Sequence, residues 1–245
     1  MARQRHNWYC AFISELKLEF IGLLIAVLQL VACFGFLPVN FNCCYRGACY
    51  VFVVTCSIGL ILSGSSLNEI LRSSTTPFEF SFQTPGLETT AELTGNLLFA
   101  VGSVLFLRTE SNSAITAGTA LFLIGSFFFG LGAFFNSIGV LTDGASDTPR
   151  VIVMLTRFSL LLSTFGVYAF VGGSLFFFPQ LSPVATGAAG CGVIQTWSNT
   201  VFGTSWYIGG SALFLASDVT CFLSACMKRV QQPRQPSLKR VISSA

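Results

Sequence analysis

The stretch ITAGTALFLIGSFFFGLGAFFNSI, residues 115–138, decides the fold. It carries no charged side chain and exceeds the roughly 20 residues that a helix needs to cross a bilayer core. Five further stretches share its character. They are residues 20–37, ended by Pro38; 50–70; 91–107, followed by Arg108; 151–178, ended by Pro179; and 203–227, ended by Lys228 and Arg229. Over the whole chain of 245 residues 53% are hydrophobic and only 9% charged, with 26 phenylalanines, and the mean hydropathy is +0.72. A soluble domain carries about 25% charged residues. So few charges cannot screen so much apolar surface from water, and the solvent of this chain is lipid.

The expected fold class is therefore an all-α integral membrane protein of six transmembrane helices, a helical bundle with an internal repeat. Residues 1–19 form a cytoplasmic or interfacial segment, 20–71 a first transmembrane hairpin, 91–138 and 151–227 two repeat hairpins, and 228–245 a polar basic tail expected to be disordered. Trp8, Phe12, Leu16 and Phe20 recur every four residues with charges between them, which predicts a short helix lying in the interface before the first span. Thr89 with Glu92 three residues on fits a capping box opening the third span. Thr148 before Pro149 fits a cap and first helical proline for the fifth.

The net charge is +3, with its basic residues mainly at the two ends. The loops after spans two and four add Arg72 and Arg150, whereas 179–202 has no Lys or Arg. The positive-inside rule puts both termini in the cytoplasm or its organellar equivalent. Topology-setting charge accounts for these clusters, and nucleic acid is not an expected partner. The bilayer is, with a protein partner or a second copy of the chain as further candidates.

One motif recurs in spans three to six: aromatic-x-x-Gly-Ser-x-x-Phe. It runs Phe99 to Phe106 around Gly102 and Ser103, Phe122 to Phe129 around Gly125 and Ser126, Phe170 to Phe177 around Gly173 and Ser174, and Tyr207 to Phe214 around Gly210 and Ser211. Small residues let two helix backbones approach, and the hydroxyl can bond a neighbour or its own helix. Aromatics three before and four after the glycine share its face and wall the contact. Helix packing is the first reading, a lining for a central pathway the second. The repeated Gly-Ser-x-x-Phe hairpin resembles the YrhK-like membrane domain, as two copies over 91–138 and 151–225. In the second copy the long segment 179–202 replaces a tight turn. The resemblance implies paired membrane helices and supplies no catalytic residue.

Ionisable groups inside a span are functional candidates by default. Arg157 lies about 12 Å of helical rise from Pro149, and Asp218 about 15 Å from Lys228 on the same side of the membrane. Matched depth on adjacent spans makes an Arg157–Asp218 ion pair the leading expectation, either a clamp or part of a proton or anion path. Snorkelling of Arg157 to the headgroups is the competing one. Glu69, Glu92 and Asn136 cluster near that same face, where an interface or cap role is expected. Of the nine cysteines, Cys43, Cys44, Cys49 and Cys191 fall in the two loops on the other side, where a disulfide from the first loop to Cys191 is expected if that side is oxidising. With His6 the only histidine and no paired Cys-x-x-Cys elements, no metal site, cofactor or catalytic residue is expected. A non-enzymatic structural, assembly or accessory component is the first functional expectation. A small-solute or ion transporter or channel built on two related helix pairs is the second.

Overall fold

The computed structural model describes residues 2–37, 39–73, 84–108, 112–142, 149–178 and 197–231. These form six helices: α1 (Ala2–Gly35), α2 (Phe41–Ser73), α3 (Thr84–Phe106), α4 (Asn112–Thr142), α5 (Arg150–Phe176) and α6 (Trp197–Gln231). Each contains a segment long and apolar enough to cross a membrane, and there is no strand among the described residues.

Several helices outrun the apolar stretches that announced them. α1 is continuous from Ala2, so no break separates an interfacial helix from the first span. α3 begins at Thr84, which puts Glu92 more than two turns inside the helix, where it cannot be the expected cap. Pro149 is itself the N-cap of α5 and makes no side-chain cap bond, while Thr148 lies outside the described residues. α2 begins at Phe41 because Tyr45, Ala48, Cys49, Phe52 and Cys56 form one buried helical stripe that starts well before the apolar run.

The helices form a closed ring. Each packs on its neighbours in sequence, and α6 returns to α1. Spans one and two thus belong to the same bundle as the repeat hairpins. Six helices spaced 8–10 Å apart in a ring leave a central space about one helix wide. In one half of the bundle that space is filled by rings: Phe36, Phe52, Phe99, Phe106, Phe122, Phe170, Phe177 and Tyr207 are all buried. Their centroids lie 4.3 Å apart for Phe99–Phe122, 5.2 Å for Phe170–Tyr207 and 6.2 Å for Phe122–Tyr207. Contacts at these separations add directional attraction to area burial.

Hydrogen bonds tie the hairpins together around this aromatic plug. Thr204 Oγ1 donates to the Phe36 carbonyl at 3.2 Å, Tyr45 Oη to that of Phe106 at 3.1 Å, and Thr119 Oγ1 to that of Phe177 at 3.5 Å. In each case the second helix of one hairpin bonds the last carbonyls of the first helix of another, groups that a helix end leaves unsatisfied.

Candidate functional site: a carboxylate-lined cavity in the helix ring

The Gly-Ser motifs pack the repeat hairpins. A Cβ added at Gly102 would lie 2.7 Å from the Phe122 ring, and one at Gly125 2.6 Å from Phe99. In α5 and α6 the same reciprocal seats recur, Gly173 under Tyr207 and Gly210 under Phe170, each again at 2.6 Å. The aromatic three residues before each glycine therefore covers the glycine of the partner helix. The phenylalanine four residues after it covers a second glycine: Phe106 on Gly118, Phe129 on Gly95, Phe177 on Gly203 and Phe214 on Gly166. Ser103 and Ser126 bond back to Phe99 and Phe122, whereas Ser174 reaches the Tyr207 hydroxyl and Ser211 the Cys33 thiol. Among these eight residues Ser126 alone also borders open space in the ring.

That space is a cavity of about 380 Å³ in the half of the bundle away from the plug. All six helices line it. Glu88, Glu92 and Asn96 come from α3 at four-residue spacing, Asn136 from α4, Ser159 and Ser163 from α5, Ser217 and Asp218 from α6, and Gln29 from α1. Gly59 of α2 makes room for the Asn96 side chain, which a Cβ there would meet at 2.6 Å. Among the described residues no Lys, Arg or His lines the cavity.

The polar groups differ in how far they are satisfied. Asn136 Nδ2 donates to Glu88 Oε1 at 2.6 Å, tying α4 to α3. Ser217 and Ser163 are 2.7 Å apart, as are Ser217 and Ser159, and Ser159 touches Cys221 at 3.0 Å. Among the described residues no hydrogen bond or ion pair reaches the carboxylate of Glu92. It is half-buried, lines the cavity, and lies within electrostatic reach of Glu88 and Asp218. Glu88, Glu92 and Asp218 thus share one lining, with Glu19 within electrostatic reach of Asp218 and Lys228 within that of Cys221, and carboxylates held together in a low-dielectric interior cost free energy.

The expected Arg157–Asp218 pair does not form. Arg157 is exposed on the outside of α5 while Ser159, two residues on, is buried facing the cavity. Two residues turn a helix by about 200°, so matched depth put Arg157 on the opposite face from Asp218. Glu69 is likewise exposed, whereas Glu92 and Asn136 meet at the cavity. Cys43, Cys44 and Cys49 are free thiols on α2, the first two exposed and Cys49 buried in the core. The loop that was to present them for a disulfide is helix, and Cys191 lies outside the described residues. Glu88, Gln29, Asn96, Ser159, Ser163 and Ser217 escaped the sequence reading of the site. For Glu88 and Asn96 the signal is a polar stripe at 88, 92 and 96, continued by the motif aromatic Phe99 on the same face.

Residues 87–140 match the family model of YrhK-like protein. The match spans α3 and α4 and takes in Glu88, Glu92 and Asn136 from the cavity. The second hairpin is thus similar to the YrhK-like family. No curated protein and no solved structure matches the chain.

Proposed function

We propose that the protein is a non-enzymatic membrane carrier that admits a small cationic solute to the carboxylate-lined cavity, and that residues 151–225 are a second, diverged copy of the YrhK-like domain. The observation that carries the first part is the lining. Glu88, Glu92 and Asp218 line one half-open cavity, with no basic side chain among its described lining residues. Carboxylates held together in a membrane interior mark ion or proton pathways more often than packing. The aromatic plug beyond the cavity separates it from the other end of the bundle, as a carrier with access from one side at a time requires.

Support for the second copy comes from register. Gly95 and Gly102 correspond to Gly166 and Gly173, and Gly118 and Gly125 to Gly203 and Gly210, each seated under the equivalent ring. On that alignment the Glu88–Asn136 hydrogen bond corresponds to the Ser159–Cys221 contact. The solute site then lies between two related hairpins, the usual place in carriers built from repeats.

An accessory or assembly role finds less support. The exposed apolar stripe of α5, formed by Val151, Met154, Phe158, Leu161, Phe165 and Tyr168, has the spacing of a lipid-facing surface and needs no protein to cover it.

Proteoliposomes on a solid-supported membrane, given concentration jumps of protons, sodium, potassium, manganese and benzyltrimethylammonium, test the carrier. At least one cation is expected to produce a charge movement that Glu92→Gln abolishes. Silence to the whole panel from correctly folded protein sinks the reading.

A further inference from the structure

The two ends of the cavity differ in chemistry, and the difference selects among cations. Towards the plug its wall is aromatic. Phe129, Phe99, Phe170 and Phe214 line it as an unbroken arc, with successive centroids 5.4, 5.9 and 5.6 Å apart. The rings come from α4, α3, α5 and α6 in turn, and each belongs to a Gly-Ser motif. Away from the plug the wall is Glu88, Glu92, Asp218 and the amides.

An inorganic ion would use only the second half. Stripping its water requires several oxygen ligands at once, and among the described residues no three carboxylate, thiol or imidazole groups converge closely enough to hold a metal ion. The cavity, at about 380 Å³, is within the range of roughly 300–1,000 Å³ that small molecules occupy. Aromatic faces attract a cation and bury an apolar body together, while a carboxylate at the far end supplies the counter-charge.

We infer that the cavity takes a small organic cation, a protonated amine or quaternary ammonium with an apolar body. Its charge lies at the unpartnered Glu92 and its body against Phe99, Phe129, Phe170 and Phe214. This identification of the solute class rests on the cation-carrier reading above. Glu88 is already engaged by Asn136, so Glu92 is the principal counter-ion and Asp218 the second. A single positive charge leaves the site less anionic without over-neutralising it.

Calorimetric titration of the full chain in nanodiscs, with empty nanodiscs subtracted, tests the inference. The probes are benzyltrimethylammonium, tetramethylammonium, potassium and manganese. Benzyltrimethylammonium is expected to bind about tenfold more tightly than tetramethylammonium, the difference one buried ring against aromatic walls supplies. Glu92→Gln should weaken both by about tenfold or more, as loss of a charge partner in a poorly solvated site does. Phe129→Leu should narrow the preference between the two, weakening benzyltrimethylammonium severalfold more than tetramethylammonium. Should Glu92→Gln fail to fold, Phe129→Leu alone decides the placement. Equal binding of the two ammonium probes, or binding of potassium or manganese alone, overturns the organic-cation inference and leaves the cation carrier standing. Binding of benzyltrimethylammonium that neither variant alters overturns the placement in this cavity. No binding by any probe, together with electrical silence, overturns both readings.

Discussion

Adjacent glycines in α6 show how finely the packing depends on single positions. Gly209 has nothing within 4 Å of a would-be Cβ, whereas a Cβ on Gly210 would stand 2.6 Å from the Phe170 ring and 3.0 Å from the Gly166 carbonyl. Gly210→Ala should therefore destabilise the protein by about 1–3 kcal/mol, since neither a packed ring nor a backbone oxygen yields cheaply. Gly209→Ala should be neutral or stabilise by roughly 0.5–1 kcal/mol through helix propensity. Thermal denaturation in detergent, read side by side, checks the pair, and equal effects would mean that the rings do not sit on the motif glycines. Glu92 poses the opposite case, a residue whose removal helps the fold. Glu92→Gln keeps shape and volume while deleting a half-buried carboxylate to which no described side chain bonds, so the empty protein should gain about 1 kcal/mol. Loss of cation binding with that gain is the signature of a site kept at the expense of stability. A clear loss of stability would mean that Glu92 has a structural partner.

Hairpins are the units that the sequence pattern describes best, and the plug is where they interlock. Removing all three inter-hairpin donors, in the triple variant Tyr45→Phe, Thr119→Val and Thr204→Val, leaves the carbonyls of Phe106, Phe177 and Phe36 without them. Each such bond contributes on the order of 0.6 kcal/mol in a membrane protein. Loosened together, the helix ends should admit reagent to the buried Cys49, raising its alkylation rate by about twentyfold, the factor that roughly 1.8 kcal/mol represents. An unchanged rate would place the barrier in the rings alone. Six spans were legible because lipid demands long apolar helices, and the Gly-Ser seats were legible because their spacing is local. Helix ends were not, because the buried stripe from Tyr45 to Cys56 extends α2 beyond its apolar run. The cavity was only half legible. Depth can be counted from a span's end, which is why Asp218 was flagged. The facing of Arg157 depends on which stripe of α5 turns inward, and Ser159 marks that stripe only once the ring is closed.

At the scale of the whole molecule the closed ring decides stoichiometry. The described residues that line the cavity come from all six helices, and α6 meets α1 to complete the circuit. Cys33 against Ser211 at 3.2 Å and Thr204 on the Phe36 carbonyl lie along that seam. Phe36 rests 5.8 Å from Phe52, as Phe106 and Phe177 rest 5.1 Å from Phe122 and Tyr207. The three hairpins close the ring. A second copy meeting the exposed outer faces would leave the cavity unchanged. Native mass spectrometry of nanodisc-embedded protein with benzyltrimethylammonium should therefore show one probe per chain, whatever the oligomeric state, and none in Glu92→Gln. One probe per two chains would place the site between copies and remove the ring cavity from the mechanism.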